Sequence, residues 1–495
     1  MISDNTIIKM IFGFKVKYLR QQKSLSYEQL AEITGLSKSY LHDIEKGRKY
    51  PKVDKINALA SAFEVGYNFL VSTQASKKLQ PLIDLLSSDF VKEFPLEEFG
   101  IQPDKLFELF SNTPDKVNAF INTIFKLTRN YQLQREHLYM TALRSFQDMH
   151  DNYFESLERA VQYFKEEYQI NYPLPLKTTH LEELLQKVFG ISVDRTAMAK
   201  QGNLKGQRSY FSKKKQTLFI NQGLKFAQEN FLLGRELAFQ YLKLSERPYF
   251  TRILGIDSFE KLLNNFKASY FSIALLMPEQ QLIQDLNTFL QEPNWNPNSL
   301  LHFLEQYDVT PEMFLQRLTN ILSKHFGIND LFFIRLVANK DLSYYRMTKE
   351  LHLSQVHKPH ANETNEHYCR RWVSVNIIKR ARGLQQLQND FSPIADAQIS
   401  KYFGTNNEYL CLSISNPGRL QAEETVSLTI GLMINDQVRR QIRFLNDPKL
   451  PSRTVNTTCE QCSILDCEAR AATPKVLEQQ NQIQRVQEGA AALEK

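Results

Sequence analysis

LSYEQLAEITGLSKSYLHDIEKGRKYPKVDKINALASAF, residues 25–63, decides how the chain begins to fold. Ser26 followed three residues on by Gln29 is a capping-box pair, so a helix is expected over YEQLAEIT, and Gly35 supplies the turn that ends it. Ser37 caps the next helix, KSYLHDIEKG, which buries Leu41 and Ile44, turns Lys38, Ser39, Tyr40, His42 and Asp43 outward, and stops at Gly47. Two short helices joined so tightly read as a helix-turn-helix, in which the second helix lies in the major groove with side chains near its N-terminus at base edges. Upstream, Phe12 to Gln22 reads as a preceding helix, with Phe12, Val16, Leu19 and Arg20 at helical spacing and Lys15 and Lys17 on the other side. Residues 1–72 hold 11 Lys and Arg against 7 Asp and Glu, so this head carries +4 of the chain's +7. Its charge sits where phosphates would be met.

The whole chain, at 495 residues, has room for about three domains of roughly 150 residues. With 42% apolar and 23% charged residues it is expected to be globular, apart from a Gln-rich tail read as a frayed helix. No run approaches the roughly 18 apolar residues of a membrane helix, and the start, with Asp4, lacks a signal-peptide pattern; a cytoplasmic protein is expected, with no membrane partner. Five cysteines is an odd count, and a reducing compartment disfavours structural disulfides, which turns attention to metal or thiol chemistry.

The spacing of LA, G, S, I-E-x-G and the later L-A pair resembles the Xre family of repressor-like helix-turn-helix domains over about 65 residues. The resemblance implies double-stranded operator DNA as partner. It implies that Lys38, Ser39, Tyr40 and Asp43 face bases, with the cap residue Ser37 in the same set, and that Tyr27, Arg48, Lys49 and Lys52 meet phosphates. The alternative is a head that makes protein contacts only.

Residues 75–128 are helical patches broken by Pro81, Pro95, Pro103 and Pro114 and carry no legible chemistry. From Arg129 to Gln169, Leu138, Ala142, Phe146, Met149, Tyr153, Leu157, Ala160 and Phe164 recur every three or four residues, which reads as one long amphipathic helix. At about 1.5 Å per residue it would exceed roughly 50 Å. It is either a strut between two copies of the chain or a stripe packed on its own chain. After YPLPLK come a helix (LEELLQKVFGISV), a strand hairpin (RSYFSKKKQTLFIN) and another helix (QENFLLGRELAFQYLKL). The order resembles the IrrE-type zinc peptidases, which place H-E-x-x-H on that last helix. Here the pentad is Arg235, Glu236, Leu237, Ala238, Phe239. Arginine keeps its proton and phenylalanine has no lone pair, so two metal ligands are missing and a fold without catalysis is expected, with Glu236 paired to Arg235 or another base.

Beyond Leu331, DLFFIRLVAN, EYLCLSISN and VSLTIGLMIN are short β-rich runs, which predicts a mixed α+β domain round an antiparallel sheet. Cys459, Cys462 and Cys467 form C-x2-C-x4-C, whose first pair has the spacing that lets two thiolates reach one zinc. Cys411 lies in an apolar run and reads as a core residue, so Cys369 is the favoured fourth ligand. Structural zinc, a redox thiol cluster and plain packing are the three readings. The order of Xre head, broken pentad, F-F-I-R-L strand, Cys369-Arg370-Arg371-Trp372 and final C-x2-C-x4-C-x2-R-A looks like the short-chain fatty acyl-CoA regulator family, whose tryptophan motif usually reads C-P-R-W. That resemblance implies a regulator, a repressor among the options, of acetate, propionate and glyoxylate-cycle metabolism with a short-chain acyl-CoA as effector. Phosphates and a pantetheine arm call for Arg beside apolar walls, so Arg335, Arg346, Arg371 and Trp372 are the candidate ligand residues. The basic run NIIKRARG is equally a solvated face or a second DNA contact.

The expected organisation is mainly α with a C-terminal α+β part. Residues 1–72 form the DNA-binding head, 73–170 a helical linker with a dimerisation helix, 171–330 a degenerate zincin-like unit, 331–475 a sensor-like domain with the cysteines, and 476–495 a tail. The expected protein is a homodimeric transcription factor. A repressor-cleaving peptidase and a phage or toxin-antitoxin regulator are the alternatives.

Overall fold

The computed structural model describes residues 4–72, 96–100, 135–204, 206–250, 258–353, 366–388, 390–416 and 424–493; apart from a short turn at Leu96–Phe99, the patches expected over 75–128 lie outside them. The chain packs as two compact units, Met1–Phe146 with Ile253–Leu263, and Gln147–Arg252 with Asn264–Lys495.

Five helices build the head: α1 (Asp4–Gln22), α2 (Tyr27–Thr34), α3 (Lys38–Glu45), α4 (Val53–Phe63) and α5 (Tyr67–Val71). The caps form as expected. Gln29 N donates to Ser26 Oγ at 3.2 Å, Ser26 N donates to Gln29 Oε1 at 2.8 Å, and Gly35 closes α2 at φ +69°. Phe12, Val16, Leu30, Leu41, Ile44, Leu59 and Phe63 share one core. Helix α1 passes α3 so closely that a Cβ on Gly13 would stand 2.1 Å from the Ile44 carbonyl oxygen, so only glycine fits.

Two expectations for α1 are corrected. It starts at Asp4, because Ile7, Met10 and Ile11 extend the buried stripe upstream of Phe12. Lys15 is not on an outward face: it is fully buried, and its Nζ donates to the carbonyls of Phe69 and, at 2.6 Å, Ser72. Those carbonyls lie at the C-terminal end of α5, where a cation is favoured, while burial pushes the Lys15 pKa down to about 8.

The single helix expected over 129–169 is two, α6 (Arg135–Met149) and α7 (Glu155–Glu167). Between them Asp151 and Asn152 adopt φ of +49° and +52°, which ends a helix and which Asp and Asn tolerate best. Asn152 is held there by partners remote in sequence: its Nδ2 donates to Thr319 Oγ1 at 2.7 Å and its carbonyl accepts from Asn320 Nδ2 at 2.6 Å. Three-to-four periodicity survives across the break, but a continuous strut is not formed.

In the second unit the helix, hairpin and helix appear in the expected order, as α8 (Thr178–Phe189), β2 (Ser209–Ser212) with β3 (Thr217–Ile220), and α9 (Phe226–Tyr241). A short β1 (Ser192–Asp194) adds in parallel to β3, giving the order β1-β3-β2. Helices α10 (Phe259–Leu276), α11 (Glu279–Leu290), α12 (Pro297–Tyr307) and α13 (Pro311–Phe326) follow. Arg317 of α13 is fully buried and bidentate on Glu158 of α7, whose carboxylate also accepts from Tyr270 Oη at 2.6 Å.

The C-terminal part is a six-stranded sheet of β4 (Leu331–Ala338), β5 (Tyr345–His352), β6 (Ile394–Tyr402), β7 (Glu408–Asn416), β8 (Thr425–Met433) and β9 (Ser452–Val455). The order is β5-β4-β8-β7-β6-β9, antiparallel except for the parallel β6–β9 pair, so among the described residues β5 and β9 are its outer strands. Helix α13 packs on one face and α14 (Val373–Gln388) on the other. Helix α14 contains the basic run NIIKRARG, with Ile377, Ile378 and Ala381 buried against the sheet. The short α15 (Asp436–Gln441) precedes β9, and an exposed α16 (Lys475–Leu493) forms the tail.

Candidate nucleic-acid interface and the sites beyond it

Ser37, Lys38 and Ser39 are exposed at the start of α3, and Arg48, Lys49 and Lys52 are exposed just beyond its end. Ser37 Oγ accepts from Tyr40 N at 3.2 Å, so its side chain is spent on the cap. Lys38 pairs with Glu28 of α2 at 2.6 Å, with both side chains more than half exposed. Its ammonium lowers the Glu28 pKa to about 2. Asp43 accepts from Lys49 Nζ at 2.9 Å, which lowers the one pKa and raises the other. The Asp43 carbonyl also receives the backbone N–H of Arg48 and of Lys49. The Tyr40 ring lies under Lys55 Nζ at 4.3 Å and Lys49 Nζ at 5.6 Å. The structure thus gathers the expected side chains, with one addition and one exception. Lys55, on α4, was not anticipated, because only the fold brings it to Tyr40. Tyr27 is turned inward: its hydroxyl donates to Glu45 at 2.7 Å and its ring carries the Arg20 guanidinium at 4.2 Å. Arg20 in turn is bidentate on the buried Glu45 at 2.7 and 3.0 Å. Burial first, then Glu45, pushes the Tyr27 pKa up to about 12. This brace ties the C-terminal end of α3 to α1 and α2.

At the broken pentad, Glu236 is paired, but with Arg247 rather than Arg235: both carboxylate oxygens accept, at 2.7 and 2.5 Å. The Arg247 guanidinium is stacked on Phe239 at 3.7 Å from the ring centre. Arg235 is buried beside this pair with Nε unbonded among the described residues, and burial, then Arg247, lowers its pKa to about 10. These residues do not fit the zinc of the peptidase fold. Arg247 stands eleven residues beyond Glu236, a spacing that carries no helical signal.

Cys369, Cys459, Cys462 and Cys467 line one pocket, whereas Cys411 is separate, buried on β7 with its pKa pushed up to about 12. All five are free thiols. The four sulfurs share the pocket without being closed on a common point: among the described residues no group of three or more His, Cys, Asp and Glu side chains is arranged to hold a metal ion.

The four residues expected round an acyl ligand are not assembled into one site. Arg335 bonds Thr348 at 2.6 Å and faces Glu312 of α13. Arg346 shares that face two strand positions on and meets Glu424 at 3.4 Å. Trp372 lies in the opposite layer, in the core with Ile334 and Leu336, its Nε1 donating to Asn456 O at 2.9 Å; the preceding Arg371 donates to Thr454 O. Alternation along β4 puts the sheet between the two pairs.

Residues 186–319 match the IrrE N-terminal-like domain. The head is 35% identical over 65 residues to the immunity repressor protein of Bacillus phage phi105, a match covering 13% of this chain and 45% of that protein. It is 32% identical over 62 residues to the ImmF control region 10 kDa protein of the same phage, covering 12% of this chain and 69% of that protein. The chain therefore spans about half the length of the first of these relatives. A Mycobacterium tuberculosis transcriptional regulator of solved structure aligns over 66% of this chain and 92% of its own, at 15% identity and a TM-score of 0.47. No helix among the described residues is long and apolar enough to cross a membrane. With residues 16–70 matching it as well, the chain belongs to the helix-turn-helix family.

Proposed function

We propose that the protein is a cytoplasmic, homodimeric transcriptional regulator that reads double-stranded operator DNA through the first turns of α3. The observation that carries this reading is the gathering of Lys38, Ser39, Tyr40, Arg48, Lys49, Lys52 and Lys55 on and beside one braced helix. In that geometry the early residues of α3 meet base edges and the loop cations meet phosphates. Likeness of the head to a phage immunity repressor supports repression as its mode. Titrating full-length protein into labelled promoter fragments and scrambled duplex at moderate ionic strength tests it; equal affinity for both sinks the reading.

The IrrE-like region acts in this reading as a scaffold without catalysis, supported by the Arg247–Glu236 pair. The finer assignment, control of short-chain fatty acid metabolism through a short-chain acyl-CoA or related metabolite, is supported by the motif resemblance alone. Such an effector must bind one arrangement of the dimer more tightly than the other, and a coupling of about 1–3 kcal/mol changes operator affinity roughly 5- to 150-fold. Thermal-shift measurements with acetyl-, propionyl- and butyryl-CoA decide it, and the absence of any shift removes the assignment.

A further inference from the structure

We propose that Lys213, Lys214 and Lys215, at the tip of the β2–β3 hairpin, form a second duplex contact that grips the phosphate backbone of DNA without reading its sequence. This rests on the reading of the protein as a duplex-binding regulator and extends it to the IrrE-like region. Charge points there first. Between Asp194 and Glu229 the chain holds eight Lys and Arg and no Asp or Glu, a local +8 against +4 for the head and +7 for the whole chain. A block of one sign this dense marks a surface for a polyanion. Folding neutralises Arg195, which pairs with Glu182 and Glu229. Lys213, Lys214 and Lys215 are exposed in succession, and none is paired with a carboxylate among the described residues. Three like charges so close repel one another, and a row of phosphates would relieve that repulsion.

The tip is tied into the fold on every side. Ser212 and Thr217 close the hairpin in register, and the loop over residues 213–216 turns at Gln216, whose φ is +46°. Lys215 N donates to Ser212 Oγ at 3.3 Å, Gln216 Nε2 to the Lys213 carbonyl at 2.8 Å, and Thr217 Oγ1 to the Lys215 carbonyl at 2.9 Å. On one edge β1 pairs with β3. On the other, Phe211 N donates to Tyr249 O at 3.0 Å, and the Phe250 ring stacks on Tyr210 at 4.8 Å. A loop fastened in this way loses little further backbone entropy when its lysines meet a ligand.

The chemistry of the loop selects the partner. Interfaces between proteins are built round aromatic or aliphatic anchors and are depleted in lysine, whereas residues 213–216 offer three ammonium groups and one amide. That amide is spent on the Lys213 carbonyl. The loop therefore has no free amide or guanidinium to hold a base edge in two bonds, and its lysines act as point charges toward phosphate. Anchoring of this kind acts through released counterions and is blind to sequence.

The test measures binding of full-length protein to a promoter fragment and to a scrambled duplex over a range of salt. Lys213→Gln, Lys214→Gln and Lys215→Gln together should weaken both duplexes alike and lower the salt slope by roughly three units. The advantage of wild type over this variant should then shrink roughly 40-fold between about 50 and 200 mM salt. Lys213→Arg, Lys214→Arg and Lys215→Arg together keep the charge and should keep the slope. Lys214→Gln alone, a mild change in an exposed loop, should lower the slope by about one unit. An unchanged slope in the glutamine variants would leave these lysines to solvent or to an acidic protein and overturns the proposal. A loss confined to the promoter fragment, or an arginine variant as weak as its glutamine counterpart, overturns it equally. Equal wild-type affinity for the two duplexes sinks operator reading alone, because the slope is also read on scrambled duplex; no binding to either sinks both.

Discussion

Helices α3 and α9 meet the same problem, a carboxylate buried at a helix meant for chemistry, and resolve it differently. In α3 the buried Glu45 takes Arg20 and Tyr27 behind the helix, which leaves the opposite face open. In α9 the buried Glu236 takes Arg247 on the very face where the peptidase fold would hold its metal, and Phe239 and Arg235 close the rest. The difference shows how a site is kept or lost: by which side of the helix the counter-charge occupies.

The sharpest way to break the comparison is to remove one partner of the α9 pair. Arg247→Met strands the Glu236 carboxylate in the interior and should cost about 3–5 kcal/mol in denaturant unfolding, while Arg247→Met with Glu236→Met recovers most of it. Equal losses would mean that the pair is not a closed unit. Next comes DNA affinity. Lys38→Ala should cost roughly 1–3 kcal/mol selectively at the base it meets, whereas Arg48→Ala should weaken all sequences alike and reduce the salt slope by about one unit, both measured by binding titrations. Uniform losses in both variants would erase the distinction between reading and anchoring.

The brace can then be sharpened. Tyr27→Phe removes one hydrogen bond to a charged group and should destabilise the head by about 1.5–3 kcal/mol by thermal melting. Lys15 gives the pH test. Its pKa falls from an ordinary 10.5 to about 8, so between these values the unfolded chain binds more protons than the folded one and stability rises with pH. Below about pH 8 the cost of burying the charge is present in full. The stability of wild type relative to Lys15→Met should therefore climb through that window in pH-dependent unfolding, and a flat difference would remove Lys15 as its cause. The smallest effect is expected at Glu28→Gln, which frees Lys38 from an exposed pair and should tighten operator binding by no more than roughly fivefold.

What the chain announced in advance was local. The capping box at Ser26 and Gln29, the Ser37 cap and the Gly35 turn involve neighbours within three residues, and the fold adds nothing to them. Elimination located the fourth cysteine of the pocket, because Cys411 sits among strand residues with an apolar face. Long-range partners were illegible. Nothing near Lys15 announces the carbonyls of Phe69 and Ser72, and nothing near Asn152 announces Thr319 and Asn320, which impose the left-handed turn on an otherwise helical pattern. Arg335 and Trp372 fall in one region of the sequence that sets cations beside apolar residues, as a CoA site requires. Strand alternation, invisible until the sheet register is known, puts them on opposite sides of the sheet.

The outer strands of the six-stranded sheet also bear on how the protein behaves at high concentration. Strand β5 carries exposed Arg346 and Lys349, and β9 exposes Ser452, Arg453 and Thr454 over only four residues. Charge and brevity at a sheet margin discourage strand-to-strand joining between molecules. The fold therefore carries its own guard against fibre growth, concentrated in a handful of side chains on two short margins of the sheet.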